Sequence, residues 1–311
     1  MDSGQAGGYI FESVVAKLIK KSGYVRVQKG QLNGRGASHQ IDVIGALSIP
    51  TPFVYPIRLL CEAKHYTASK VELSDIRNYI GVIKDISENY FVRSAKDRGK
   101  KRYTDVGCYF SIGPYRISAQ NYAWAHNIFM VSFSKIDTMN TVSDDINHFV
   151  ADTNNIQGGI KEMIREFWRS KGRKYLQNEL LLVGVLNNSY PVIIKARSSI
   201  LPKLQGYTSE NDIIVANKTS RHGNAEDTET SFDIWLGDDL NETVELTIPN
   251  VIARRLIHEI DRSAAGDKIF EIDIPVIKKA RNFLRRRMIK LDVRLQEKKE
   301  YLEALEISVV N

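Results

Sequence analysis

Two short apolar runs constrain this chain most: HQIDVIGAL at residues 39–47 and IRLLCEAKHY at residues 57–66. Each reads as a strand, and each carries charge where a strand is normally buried. Asp42 is flanked by Ile41, Val43 and Ile44. A carboxylate in such a place costs free energy unless it is paired or holds a cation. In the second run Glu62 and Lys64 stand two apart, so they share one face of a strand. Leu59, Cys61 and Ala63 then share the other, apolar face. Pro50, Pro52 and Pro56 lie between the runs and mark a connection between antiparallel neighbours.

The elements around this pair alternate. Ile10, Phe11, Val14, Val15, Leu18 and Ile19 recur at helical spacing and predict a helix over 5–21, stopped at Gly23. Residues 24–28 read as a short strand and 29–38 as a Gly/Asn/Ser-rich loop. Leu73, Ile76, Ile80 and Ile83 predict a second helix over 71–87. A strand over 106–112, a short helix over 117–126 and a strand over 127–133 follow. This order predicts an α/β fold for residues 1–135, a mixed sheet flanked by helices.

The rest of the chain reads differently. Residues 136–178 are expected to be a helical linker, with one amphipathic helix over 159–175. Residues 179–273 hold short β-branched runs between Asn/Gly/Asp turns, and predict a β-rich module of unread role. In residues 274–311, Ile277, Ala280, Leu284, Met288, Leu291, Leu295, Leu302 and Leu305 form an approximate three-four seam, broken by Lys298. That seam predicts one long amphipathic helix, suited to oligomerisation.

The charged strands suit phosphodiester hydrolysis. Two carboxylates hold a hard divalent cation through oxygen and leave room for water and phosphate. Such a cation acidifies bound water and stabilises charge on phosphorus. Lys64 adds an ammonium able to orient that water or neutralise the phosphate. Gln40, two residues before Asp42, shares its face, and Gln120 is a further candidate for the same cleft.

The spacing Asp42, nineteen residues, then Glu62-Ala63-Lys64 resembles the PD-(D/E)xK nuclease superfamily. The stretches GYIFESVV, GRGASHQIDVIG, LLCEAKHY, VELSDIRNYIGVI and SIGPYRISAQNYAWAHNI look like its Mrr-type restriction endonuclease branch. The resemblance covers about residues 5–133. Ile41 stands where the motif usually has proline. The resemblance implies a restriction-endonuclease-like fold, with Asp42, Glu62 and the Ala63 carbonyl as metal ligands. It implies that Lys64 is the catalytic lysine, and that Glu12 is an extra acid reaching the metal directly or through water. The implied cofactor is Mg2+, with Mn2+ able to substitute.

Net charge is +7, but residues 1–135 hold 19 Lys/Arg against 10 Asp/Glu, and the remainder 25 against 27. Residues 179–273 are acidic, with 9 against 16. The basic part is the one expected to approach a phosphate backbone. Arg93, Lys96, Arg98, Lys100, Lys101 and Arg102 are candidate phosphate contacts, as is Arg35 in the glycine-flanked loop at 34–36. No phosphate-cradling nucleotide motif is present, so an ATP-driven step would need an NTPase partner.

Cys61 and Cys108 lie in apolar runs without zinc-ligand spacing, which fits a reducing cytoplasm. No signal peptide is read, and no apolar run approaches the ~18 residues of a membrane span. The leading expectation is a cytoplasmic, metal-dependent DNA endonuclease of restriction or antiviral defence, acting on DNA as a homo-oligomer. A Holliday-junction resolvase or repair nuclease shares the chemistry. A catalytically silent nucleic-acid-binding subunit of a defence complex shares only the fold, and the intact Asp, Glu and Lys argue against it.

Overall fold

A computed structural model describes residues 2–47, 53–65, 69–89, 102–134, 137–152, 159–171, 179–186, 190–197, 214–217, 229–236, 243–249, 252, 270–280 and 283–295. Among them, no helix is long and apolar enough to cross a membrane. The chain divides into two compact units: residues 1–134 with 142–170, and residues 135–141 with 171–311.

The first unit is built on a five-stranded mixed sheet. Helix α1 (Ser3–Lys21) precedes strands β1 (Val25–Asn33), β2 (Ser38–Leu47) and β3 (Ile57–Lys64). Helix α2 (Leu73–Ser87), strand β4 (Thr104–Ser111), helix α3 (Ile117–Ala125) and strand β5 (Phe129–Ser132) follow. Strand order equals chain order. β1, β2 and β3 pair antiparallel, whereas β3, β4 and β5 run parallel. Each parallel step has a helix as its crossover, as parallel neighbours require. The fold predicted for residues 1–135 is the fold observed.

Sequence explains the helix ends. The Asp2 carboxylate accepts from the Gln5 N–H at 2.7 Å, and Lys20 and Lys21 sit in the last turn of α1. Both features match the helix dipole. Gly23 follows with φ 96°, a backbone state that side-chain-bearing residues rarely adopt.

Two glycines fix which helix covers which face. A Cβ on Gly45 of β2 would meet Ile19 of α1 at 3.0 Å. A Cβ on Gly107 of β4 would meet Tyr79 and Ile83 of α2 at 3.3 and 3.4 Å. Gly45 pairs with Leu59, and Gly107 with Leu60. Adjacent residues of β3 face opposite ways, so α1 and α2 lie on opposite sides of the sheet. Tyr79 anchors α2: its buried hydroxyl donates to the Leu60 carbonyl and accepts from the Cys108 N–H at 2.9 Å.

Two expectations need correction here. Residues 29–33 continue β1 rather than starting a loop. Pairing with β2 persists to Asn33, with register shifts between Val25 and Gln28 and between Gln28 and Gly30. Those irregularities and Gly30 give the strand a loop-like sequence. Nor does the segment after residue 135 act only as a linker. Helix α4 (Asp137–Ala151) and helix α5 (Ile160–Ser170) follow, and residues 142–170 belong to the first unit. Val142, Ile146, Phe149, Val150, Met163 and Phe167 are buried there. Trp168 of α5 donates from Nε1 to the Ser13 hydroxyl of α1 at 2.9 Å, and the Lys17 ammonium lies 3.0 Å from the centre of its ring. The apolar faces of these helices are thus satisfied by the nuclease-like core.

The second unit holds strands β6 (Glu179–Leu186), β7 (Pro191–Arg197), β8 (Ile214–Asn217), β9 (Glu229–Leu236) and β10 (Thr243–Pro249). Strands β11 (Phe270–Ala280) and β12 (Phe283–Leu295) complete it. They close a barrel in the order β10-β7-β6-β11-β12-β8-β9. The runs read as strands in 179–273 are strands. The long helix expected from residue 274 is not formed over the described part: 274–280 and 283–295 are strand. Phe270, Ile272, Ile274 and Val276 alternate with other residues, as do Ile289, Leu291, Val293 and Leu295 with Lys290, Asp292 and Arg294. This period of two outweighs the looser three-four seam, and Pro275 disfavours a helix interior. The part of that expectation in 296–311 lies outside the described residues.

Candidate active site

Asp42 sits in the middle of β2, and Glu62 and Lys64 end β3. The register pairs Val43 with Cys61 and Ile44 with Leu60. Asp42, Glu62 and Lys64 therefore share the α2 side of the sheet, while Cys61 and Ala63 face α1 and are buried. The three residues adjoin. The Ala63 N–H donates to Asp42 Oδ2 at 3.0 Å, and Lys64 Nζ lies 2.6 Å from Glu62 Oε1.

Glu12 joins them through a residue that the sequence reading missed. Lys29 Nζ, on edge strand β1, lies 2.6 Å from Glu12 Oε2 and 4.0 Å from Asp42 Oδ1. Its ammonium also lies 4.5 Å from the centre of the Tyr9 ring. The signal available was strand alternation through Lys29, which Gly30 and the register shifts disguise.

The electrostatics are those of crowded carboxylates. Burial pushes the Glu12 carboxyl up to about 7; the Lys29 hydrogen bond opposes this, and the Asp42 and Glu62 charges add to it. Burial, then the Asp42 charge, also raises Glu62, against the pull of Lys64. Acids held this close repel one another and favour a shared cation. Lys29 supplies one positive charge at this spot.

A divalent cation fits this donor set. Among the described residues, no three His, Cys, Asp or Glu side chains converge on a single point. Asp42 and Glu62 would instead give two carboxylate oxygens, with the Ala63 carbonyl and water completing the shell. Mg2+ usually keeps several waters and takes only one or two carboxylates.

Other candidates fall elsewhere. Gln40 donates from Nε2 to the Gly30 carbonyl at 3.1 Å. Gln120 is fully buried and its Nε2 lies 3.4 Å from the Tyr115 carbonyl, so it belongs to the core rather than a cleft. Arg35 is exposed, in a loop pinned by α2: the Asp85 carboxylate accepts from the Gly36 N–H at 2.8 Å and the Ala37 N–H at 3.2 Å, and lies 2.7 Å from His39 Nε2. Arg102 is exposed just before β4. Arg93, Lys96, Arg98, Lys100 and Lys101 lie outside the described residues.

His65 faces α1, away from Asp42, Glu62 and Lys64, and packs 5.9 Å from the Phe11 ring. Burial holds its imidazole down at about 4 from an ordinary 6.5. Between those values the unfolded chain binds a proton that the folded one does not. This contribution to stability is therefore complete above about pH 6.5 and is lost as pH falls towards 4. From pH 7 to pH 4 the wild type should lose about 1–3 kcal/mol more than His65→Met. Urea unfolding at several pH values measures this; parallel losses would remove His65 as the cause.

Comparison with known proteins places the stretch that carries these residues in a family. Residues 5–139 match the family model Mrr_cat, described as restriction endonuclease. A solved protein of unknown function, AF1548, is similar at 14% identity and a TM-score of 0.33, over 54% of this chain and 97% of that one. No curated protein gives a significant match. With its mixed sheet and its Asp42, Glu62 and Lys64 in motif order, the stretch 5–139 is an Mrr-type restriction-endonuclease domain.

Proposed function

We propose that the chain is a divalent-metal-dependent DNA endonuclease of restriction or antiviral defence, using Mg2+ with Asp42, Glu62, Lys64 and Glu12 as its site. The observation that carries the reading is Lys64 paired with Glu62 beside Asp42 on one side of the sheet, with the partly desolvated Glu12 of α1 linked to Asp42 through Lys29. When bound, the cation supplies acidified water and charge neutralisation at phosphorus. Asp42 is held for its task by the Ala63 N–H. Lys64 presents an ammonium beside Glu62, placed to orient the attacking water or to take charge developing on the phosphate. Glu12, with its raised carboxyl, is able to accept a proton near neutral pH. Lys29 steadies Glu12 and Asp42 together.

The test is a substrate panel with Mg2+ or Mn2+: plain duplex, methylated duplex, single strand, four-way junction and RNA. Duplex DNA should be cut with either cation and left intact in EDTA. Selective cutting of junctions would replace the restriction role by resolution or repair. No cleavage of any substrate would overturn the reading.

A further inference from the structure

We infer that the β11–β12 hairpin is a nucleic-acid-binding arm whose two basic faces fit between the phosphate walls of a duplex groove. β11 and β12 pair with each other from Phe270–Val293 to Ala280–Phe283. They are the longest strands of the barrel unit, 11 and 13 residues. Their pairing to the rest is confined to the far end: Ile272 and Asp273 pair with β6, and Val293–Leu295 pair with β8. Among the described residues, everything from Ile274 through Ala280, and from Phe283 through Asp292, pairs only within the hairpin. That stretch is a two-stranded ribbon continuing past the barrel's own ladder.

Its sequence changes character there. Residues 274–291 hold Lys278, Lys279, Arg281, Arg285, Arg286, Arg287 and Lys290, and no acidic residue. The preceding segment 179–273 is acidic. Register sets Lys278 directly opposite Arg285. Like charges so placed destabilise a ribbon, and an isolated ribbon has little stability to spare. An anionic partner removes that cost.

The distribution of charge identifies the partner. By strand alternation, Lys278, Arg285 and Arg287 lie on one face of the ribbon, and Lys279 and Arg286 on the other, where Lys290 stands opposite Asp273. A flat anionic surface such as a membrane would call for one basic face. A groove presents phosphates on two walls, and the major groove of a duplex admits a two-stranded ribbon. Phosphate binding of this kind would position the duplex without reading its sequence.

The test uses the full chain in EDTA, so binding is read without cleavage and separately from the nuclease reading. Probes are a labelled 24-base-pair duplex, a single strand of the same length and phosphatidylserine vesicles. Arg285→Gln/Arg286→Gln/Arg287→Gln should weaken duplex binding at least tenfold at 0.1 M salt. It should also flatten the dependence of log K on log salt by about 0.9 for each phosphate that is no longer neutralised. The charge-keeping Arg285→Lys/Arg286→Lys/Arg287→Lys protein should retain the slope. Circular dichroism checks the fold; if the triple Gln protein unfolds, Lys278→Gln and Lys279→Gln singly should each lower the slope. Unchanged duplex affinity and slope in folded variants would overturn the inference. So would loss of vesicle binding with duplex binding intact.

Discussion

Lys64→Ala and Glu62→Ala proteins should lose DNA cleavage by about a thousandfold or more while keeping their fold. The two side chains form one unit, with Lys64 Nζ 2.6 Å from Glu62 Oε1. Neither is part of the apolar packing, which Leu59, Leu60, Cys61 and Ala63 supply on the same strand. Glu62 already carries a carboxyl raised by burial and by Asp42, so removing its charge relieves repulsion rather than breaking a needed bond. Removing Lys64 leaves Glu62 without its counter-charge and raises it further. The expected signature is thus lost activity with an unchanged or slightly raised unfolding temperature for Glu62→Ala and a slightly lowered one for Lys64→Ala. Single-turnover cleavage with saturating Mg2+ and thermal unfolding together measure it. Undiminished cleavage by Lys64→Ala would remove this site from the chemistry.

A fragment ending at residue 136 should fail to fold, whereas one ending at residue 171 should unfold cooperatively. Six apolar side chains between residues 142 and 167 are buried in the first unit. At about 1.5–3 kcal/mol each, their burial is worth up to about 9–18 kcal/mol, an upper bound because unfolded chains already bury some surface. A domain has only about 5–15 kcal/mol in total. The shorter fragment would also uncover the faces of α1 that meet α5. Thermal melts and amide spectra of both fragments decide this. Equal unfolding midpoints would show that α4 and α5 are dispensable.

Strand arithmetic made much of this legible. Glu62 and Lys64 share a face because they are two apart, and Asp42 joins them because hydrophobic alternation sets the register of β2 on β3. Glu12 was legible only through resemblance, since helical periodicity assigns no partner to a polar position. Lys29 was disguised: its strand is irregular, and irregular strands carry loop-like residues. Helix α5 was visible as an amphipathic face, but such a face does not name what covers it. The stretch after Ile274 misled because leucines spaced three and four apart coexist with strict alternation. Antiparallel pairing of β11 with β12 in one hairpin decided between them.

The bond from Trp168 to Ser13 spans 155 residues of chain. Helix α1 leaves the ribosome ahead of the whole sheet, and its last partner leaves almost last within that unit. At roughly 5–20 residues per second, the 35 residues between 135 and 170 take about 2–7 s to make. During that interval the nascent sheet is complete but one side of α1 is bare. Synthesis itself therefore delays assembly of the first unit until α5 has emerged.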